Sequence, residues 1–118
     1  MNEQSFALLR ELVEAPSPSG FEQPAQRVFR KHVENSVDSL TTDVMGNVIG
    51  RIDAAADDAP KVMLSGHCDE IGFMVKYIDE NGFLFFAPIG GVDAHLVPGQ
   101  RVQVHGAVGS LLGDVGKT

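Results

Sequence analysis

The apolar residues of this chain change period once, and that change limits the folds open to it. From Glu3 to Glu14, Phe6, Leu8, Leu9, Leu12 and Val13 recur at steps of three and four, the spacing of one buried helical face. Pro16 and Pro18 follow. Proline lacks the amide donor and biases the residue before it away from helical backbone, so the helix must end at Ala15 or earlier. Ser19-Gly20-Phe21-Glu22 reads as a capping box, with Ser19 accepting from a first-turn amide and Glu22 reaching back. A second helix is predicted over residues 20–35, with Phe21, Ala25, Val28, Phe29, His32 and Val33 as its stripe. Beyond it the period falls to two. Leu40 to Met45 and Val48 to Ile52 are predicted strands of a hairpin around Gly46-Asn47, a dipeptide that tolerates positive φ. Lys61 to His67, with consecutive Val62-Met63-Leu64, is predicted as a strand buried on both faces.

No helical period returns after that point. Ile71 to Asp79, Phe83 to Pro88 and Arg101 to His105 read as strands, with Glu80-Asn81-Gly82 marking a hairpin and Gly106, Gly109, Gly113 and Gly116 thinning the C-terminal end. The expected fold class is therefore an α/β N-terminal portion (two helices, a hairpin and a buried strand) followed by an all-β portion. The expected division is residues 1–71 and 72–118. The 13 glycines suit β turns, because nowhere do a strand, Gly-x-Gly-x-x-Gly and a helix occur in order.

Charge narrows the partners. A net charge of −7 with acids spread along the chain argues against nucleic acid and anionic membrane, both of which select a basic footprint. The single cysteine, Cys68, cannot form an internal disulfide. Met1-Asn2-Glu3-Gln4 has no basic and apolar leader pattern, so the cytoplasm is the expected compartment. No apolar run approaches the ~18 residues of a membrane span.

The chemistry concentrates in His67-Cys68-Asp69-Glu70, directly after the apolar run. In extended backbone, residues i and i+2 share a side, so Asp69 can reach the His67 imidazole while Cys68 and Glu70 face away. A histidine whose second nitrogen is held by a carboxylate makes a good metal ligand. The same pair also serves as an ordinary strand-end hydrogen bond. Spacing alone leaves both readings open, since a zinc-type site needs three or four protein ligands and no second pair is legible. Glu70 is expected to be structural, pairing with Lys76 or capping amides. His32 is expected to be a packed or snorkelling helix residue, His95 a solvated loop residue at a subunit contact and His105 a surface or interface residue.

The order of five segments resembles the glutamyl and deblocking aminopeptidases that assemble into tetrahedral particles. They are Pro18-Ser19-Gly20-Phe21-Glu22, Thr42 to Ile49, Val62 to Val75 with its His67-Cys68-Asp69-Glu70-Ile71-Gly72 centre, Asp79 to Phe83, and Pro88 to Asp93. The resemblance implies the N-terminal portion of a dinuclear metallopeptidase that removes N-terminal residues from peptides. It also implies two divalent metal ions, zinc or cobalt, and homo-oligomers from dimer to dodecamer. Residues 1–71 would then be part of the α/β catalytic domain, and residues 72–118 the start of an inserted, β-barrel-like dimerisation domain. By the same resemblance His67 is a metal ligand and Asp69 the catalytic residue that orients it, with Cys68 in a place where methionine is common. The family's other ligands and general base lie beyond the segments resembled, so the 118 residues alone are expected to be inactive. The alternative is a non-catalytic β-rich dimerisation or assembly module.

Overall fold

The computed structural model describes residues 2–116. The chain divides into two compact units, Met1–Glu70 and Ile71–Thr118.

In the first unit, α1 (Glu3–Glu14) and α2 (Gln23–Val33) precede a hairpin of β1 (Ser39–Thr42) and β2 (Val48–Arg51). The N-cap Asn2 side chain accepts from the Ser5 amide at 2.7 Å, and α1 ends at Ala15, ahead of Pro16. The two helices are in contact, and Leu8, Leu12, Val28 and Val33 on them are half-buried. Glu11 lies at their seam, 3.0 Å from Lys31 Nζ and 3.3 Å from His32 Nε2. Gln26 of α2 donates its side-chain amide to the Gly46 carbonyl at 2.8 Å, tying the helix to the hairpin loop. Ala25 is the buried apolar residue among the described residues of this unit.

The second helix begins three residues later than the capping box implies. Gly20, at φ +92°, turns the chain, and the Phe21 amide closes the turn on the Pro18 carbonyl at 2.7 Å. Glu22 becomes the N-cap residue with no side-chain cap bond, and its carboxylate accepts the Gly20 amide at 2.6 Å. Pro24 falls in the first helical turn, where its missing N–H has no partner to lose.

The expected buried strand Lys61–His67 is not formed. The segment joins no ladder, and Val62, Met63 and Leu64 are 82%, 87% and 94% exposed. A central strand takes both its hydrogen bonds and its burial from flanking strands. Here β1 pairs only with β2, so the apolar pattern has nothing to pack against among the described residues.

The second unit holds two antiparallel hairpins, β3 (Gly72–Ile78) with β4 (Leu84–Ile89) and β5 (Arg101–Gly106) with β6 (Gly109–Asp114). The register of β3 and β4 shifts between Val75 and Tyr77, so Lys76 is the extra residue of a bulge. Tyr77 stacks on its partner Phe85 at 4.4 Å, and Phe73 meets Phe86 at 4.7 Å with tilted rings. Such pairs add about 0.5–1.5 kcal/mol beyond area burial. Strand β6 corrects the expectation of a glycine-thinned end. Gly113 sits opposite Val102, and a Cβ there would meet the Val102 and Val104 methyls at an ordinary 3.7 Å. A ladder is made by backbone groups, so glycine leaves the pairing intact.

The β1–β2 and β3–β4 loops use the same five-residue device, Asp-x-x-Gly-x. Asp43 Oδ1 accepts the amides of Met45 and Asn47, each at 2.9 Å. Asp79 Oδ1 likewise accepts those of Asn81 and Phe83, at 3.0 and 2.8 Å. In both loops the glycine takes positive φ, +91° at Gly46 and +85° at Gly82, and its amide donates to the aspartate carbonyl at 3.1 Å. The first hairpin therefore turns over Asp43–Asn47 rather than at Gly46-Asn47 alone, and Val44 and Met45 leave the predicted strand. Gly82 has open space around a would-be Cβ, so the cost of Gly82→Ala is purely one of backbone conformation. We expect it to destabilise the second unit by about 1–2 kcal/mol, measured by denaturant unfolding. Gly91→Ala, with equally open space and no positive φ, should be near neutral.

Candidate functional site

The site is built where two distant segments of the first unit meet. Glu70 lies beside Pro18 in a parallel bridge. Its amide donates to the Ser17 carbonyl at 2.9 Å, and its carbonyl accepts the Ser19 amide at 3.3 Å. These bonds use the neighbours of Pro18, so the proline's missing donor is not needed. The Glu70 carboxylate accepts the Ser17 amide at 3.0 Å. Glu70 therefore has its expected structural role, as an amide cap rather than a partner of Lys76, and Ser17 is buried, 4% exposed.

This clamp fixes the residue before it. Asp69 Oδ2 accepts the Ser19 hydroxyl at 2.6 Å, and Oδ1 lies 3.0 Å from His67 Nδ1. The same ring nitrogen is 3.0 Å from the Asp69 carbonyl. A carboxylate and a carbonyl only accept, so Nδ1 carries a proton, and in the neutral ring Nε2 keeps its lone pair. The His67 side chain is 85% exposed and that of Asp69 41%. Nε2 has no hydrogen-bond partner among the described residues. The Ser19 hydroxyl first, and His67 second, hold the Asp69 carboxyl below the usual aspartate range.

The i, i+2 geometry expected of His67 and Asp69 is thus present, although the backbone carrying it belongs to no strand. Sequence reasoning missed Ser19, which it assigned to the helix cap. No local pattern signals a contact between residues 50 apart in sequence.

The remaining candidates have partners of their own or none of the site's chemistry. Among the described residues no group of three or more His, Cys, Asp or Glu side chains is placed to hold a metal ion. The described residues therefore supply no complete ligand set, and His67, 3.0 Å from Asp69 Oδ1, offers a single open ring nitrogen. His32 is engaged with Glu11, whose carboxyl is held low by Lys31 first and His32 next. His95 is exposed, its amide donating to Asp93 Oδ1 at 2.9 Å, and His105 Nδ1 lies 2.9 Å from the Ser110 hydroxyl. Cys68 is exposed rather than packed. Desolvation of the thiol, and then the Glu22 and Asp69 charges, push its pKa up, which disfavours the thiolate needed for metal binding. In the second unit an apolar hollow of about 240 Å³ lies among Phe73, Phe86, Pro88, Val92, Val97 and Val115. Its lining carries no titratable side chain, so it holds none of the acid–base chemistry of the His67 site.

With this geometry in hand, relatives become informative. Residues 46–118 match the M42 glutamyl aminopeptidase family. The lysyl aminopeptidase of Pyrococcus furiosus is 36% identical over 112 residues, 94% of this chain and 32% of that protein. The crystal structure of a TET aminopeptidase from a marine-sediment Thaumarchaeota archaeon superposes with a TM-score of 0.87 at 33% identity, covering 98% of this chain and 32% of that one. The TET1 peptidase of Pyrococcus horikoshii, which can assemble into a tetrahedron or a large octahedral shell, gives 0.82 at 27% identity over 96% of this chain and 33% of that one. These similarities place the chain among the aminopeptidase folds. It belongs to the M42 glutamyl aminopeptidase family, and it spans about a third of the length of the relatives it matches.

The depressed Asp69 carboxyl sets a pH window. Its folded pKa is lowered, so the stability carried by its bonds is fully present above the ordinary aspartate value of about 4 and is lost as pH falls through the lower folded value. A carbon-13 titration of the Asp69 carboxyl should show a midpoint below about 4. A midpoint at or above that value would contradict the Ser19 and His67 contacts.

Proposed function

We propose that this chain is the N-terminal portion of a metal-dependent aminopeptidase, in which His67 binds one of two divalent metal ions through Nε2 and Asp69 orients it. The observation that carries this reading is the His67–Asp69 bond, which fixes the imidazole tautomer and leaves Nε2 open to solvent. When bound, zinc or cobalt would supply the Lewis acidity for attack of water on a peptide carbonyl. The chain's own part is narrower. Asp69 holds the Nδ1 proton and raises the basicity of Nε2, while Ser17 to Ser19 and Glu70 keep that carboxylate in place.

On this reading residues 1–71 belong to the α/β catalytic domain and residues 72–118 open an inserted, β-barrel-like dimerisation domain. The substrates are peptides with a free N-terminus, the working form is a cytoplasmic homo-oligomer, and neither nucleic acid nor membrane is a partner. Support for assembly comes from the P. horikoshii relative and from apolar residues left exposed in the second unit, among them Ile71 at 60%, Ile78 at 63% and Phe83 at 67%. Those exposed residues also favour a second reading, a non-catalytic assembly module.

The 118 residues alone should bind zinc weakly and hydrolyse no aminoacyl chromogenic substrate, because one ligand and one orienting carboxylate do not make a metal centre. Calorimetric zinc titration of the chain and of His67→Ala checks this. Weak binding that the substitution abolishes supports the ligand role, and binding indifferent to it removes His67 from the site. Turnover abolished by His67→Ala would overturn the inactivity of the isolated chain. Concentration-dependent mass with no zinc uptake would select the assembly module.

A further inference from the structure

We propose that Ser19 is a positioning residue for His67, acting through Asp69. The inference deepens the reading of His67 as a metal ligand and rests on it for its consequence, though not for its geometry. A carboxylate held at one oxygen can swing about its Cβ–Cγ bond and present either oxygen, or neither, to a neighbour. Asp69 is held at both, with Oδ2 accepting the Ser19 hydroxyl at 2.6 Å and Oδ1 facing His67 Nδ1 at 3.0 Å. The plane of the carboxylate is thereby fixed, and with it the direction of the imidazole.

The hydroxyl is itself rigidly mounted. Ser19 is tied by its amide to the Glu70 carbonyl, Glu70 returns its own amide to Ser17, and the Glu70 carboxylate takes the Ser17 amide. Pro18 restricts the backbone between them, and Gly20 at φ +92° turns the chain away immediately afterwards. The donor thus sits on backbone bonded to the residue next to Asp69, so the two segments move together.

Local sequence assigns Ser19 another task. Ser19-x-x-Glu22 has the form of a capping box, yet α2 starts from Glu22 with no side-chain cap bond. The serine has been diverted from its helix to a carboxylate 50 residues away. Departures of this kind from a local rule are characteristic of functional sites.

The experiment uses the full chain labelled with nitrogen-15 histidine, at one fixed alkaline pH, and reads the His67 tautomer from long-range proton–nitrogen correlations. The parent should show the proton on Nδ1. Ser19→Ala should move His67 toward the Nε2–H form, Ser19→Thr should keep the parental pattern, and Asp69→Asn should reproduce the alanine result without touching Ser19. Zinc affinity should fall roughly tenfold in Ser19→Ala and recover in Ser19→Thr. An unchanged tautomer in Ser19→Ala, an equal change in alanine and threonine variants, or a parent lacking the Nδ1–H form would each overturn the proposal. A Ser19-dependent tautomer without zinc binding would support positioning while overturning the metal reading. Zinc binding at His67 with a tautomer indifferent to Ser19 would do the reverse.

Discussion

The clamp between Ser17–Ser19 and Asp69–Glu70 is the constraint on which the first unit's chemistry depends. Its members are far apart in sequence, so closing it carries a loop-closure cost that grows only slowly with length. Two bonds along the backbone of Glu70 and one to its carboxylate offset that cost. They also settle where Asp69 sits. Without the clamp, His67 and Asp69 would be neighbours on an exposed, unladdered segment, free to sample many geometries. With it, a carboxylate held at both oxygens faces an imidazole whose proton is assigned by chemistry alone.

The rest of the fold is held by local devices more than by a deep core. Ala25 and Val115 are the buried apolar residues among those described, and much of the hydrophobic surface of both units remains open to solvent. Order comes instead from the N-cap of α1, the Glu11 contacts with α2, and two loops in which an aspartate gathers amides while a glycine takes positive φ. The cap and the two loops depend on residues close in sequence, so they survive where the larger packing is thin. The exposed Val62-Met63-Leu64 run is the opposite case. Its pattern is that of a central strand, and its burial depends wholly on neighbours that the described residues do not provide.

Much of this was legible beforehand. Helix α1 follows from the spacing of Leu8, Leu9 and Leu12 and from the break at Pro16, and β3, β4 and β5 follow from alternation between turn residues. The reach of Asp69 to His67 follows from the two-residue repeat of extended backbone. Reading failed where a residue had two possible partners. Ser19 fits a capping box, and only the approach of Asp69 shows that its hydroxyl is used elsewhere. Strand β6 was hidden because Gly109 and Gly113 weaken the side-chain signal without disturbing the backbone groups that make the ladder.

The sequence by itself determined helix α1 and strands β3, β4 and β5. Each depends on residues a few positions apart, whose relative geometry the backbone dictates. Only the tertiary structure decided that Ser19 serves Asp69 instead of α2, that Glu70 caps Ser17, and that the Lys61–His67 segment is unpaired. Those outcomes depend on which groups meet across long stretches of chain, and a hydrogen-bond donor carries no mark in sequence of the acceptor it will find.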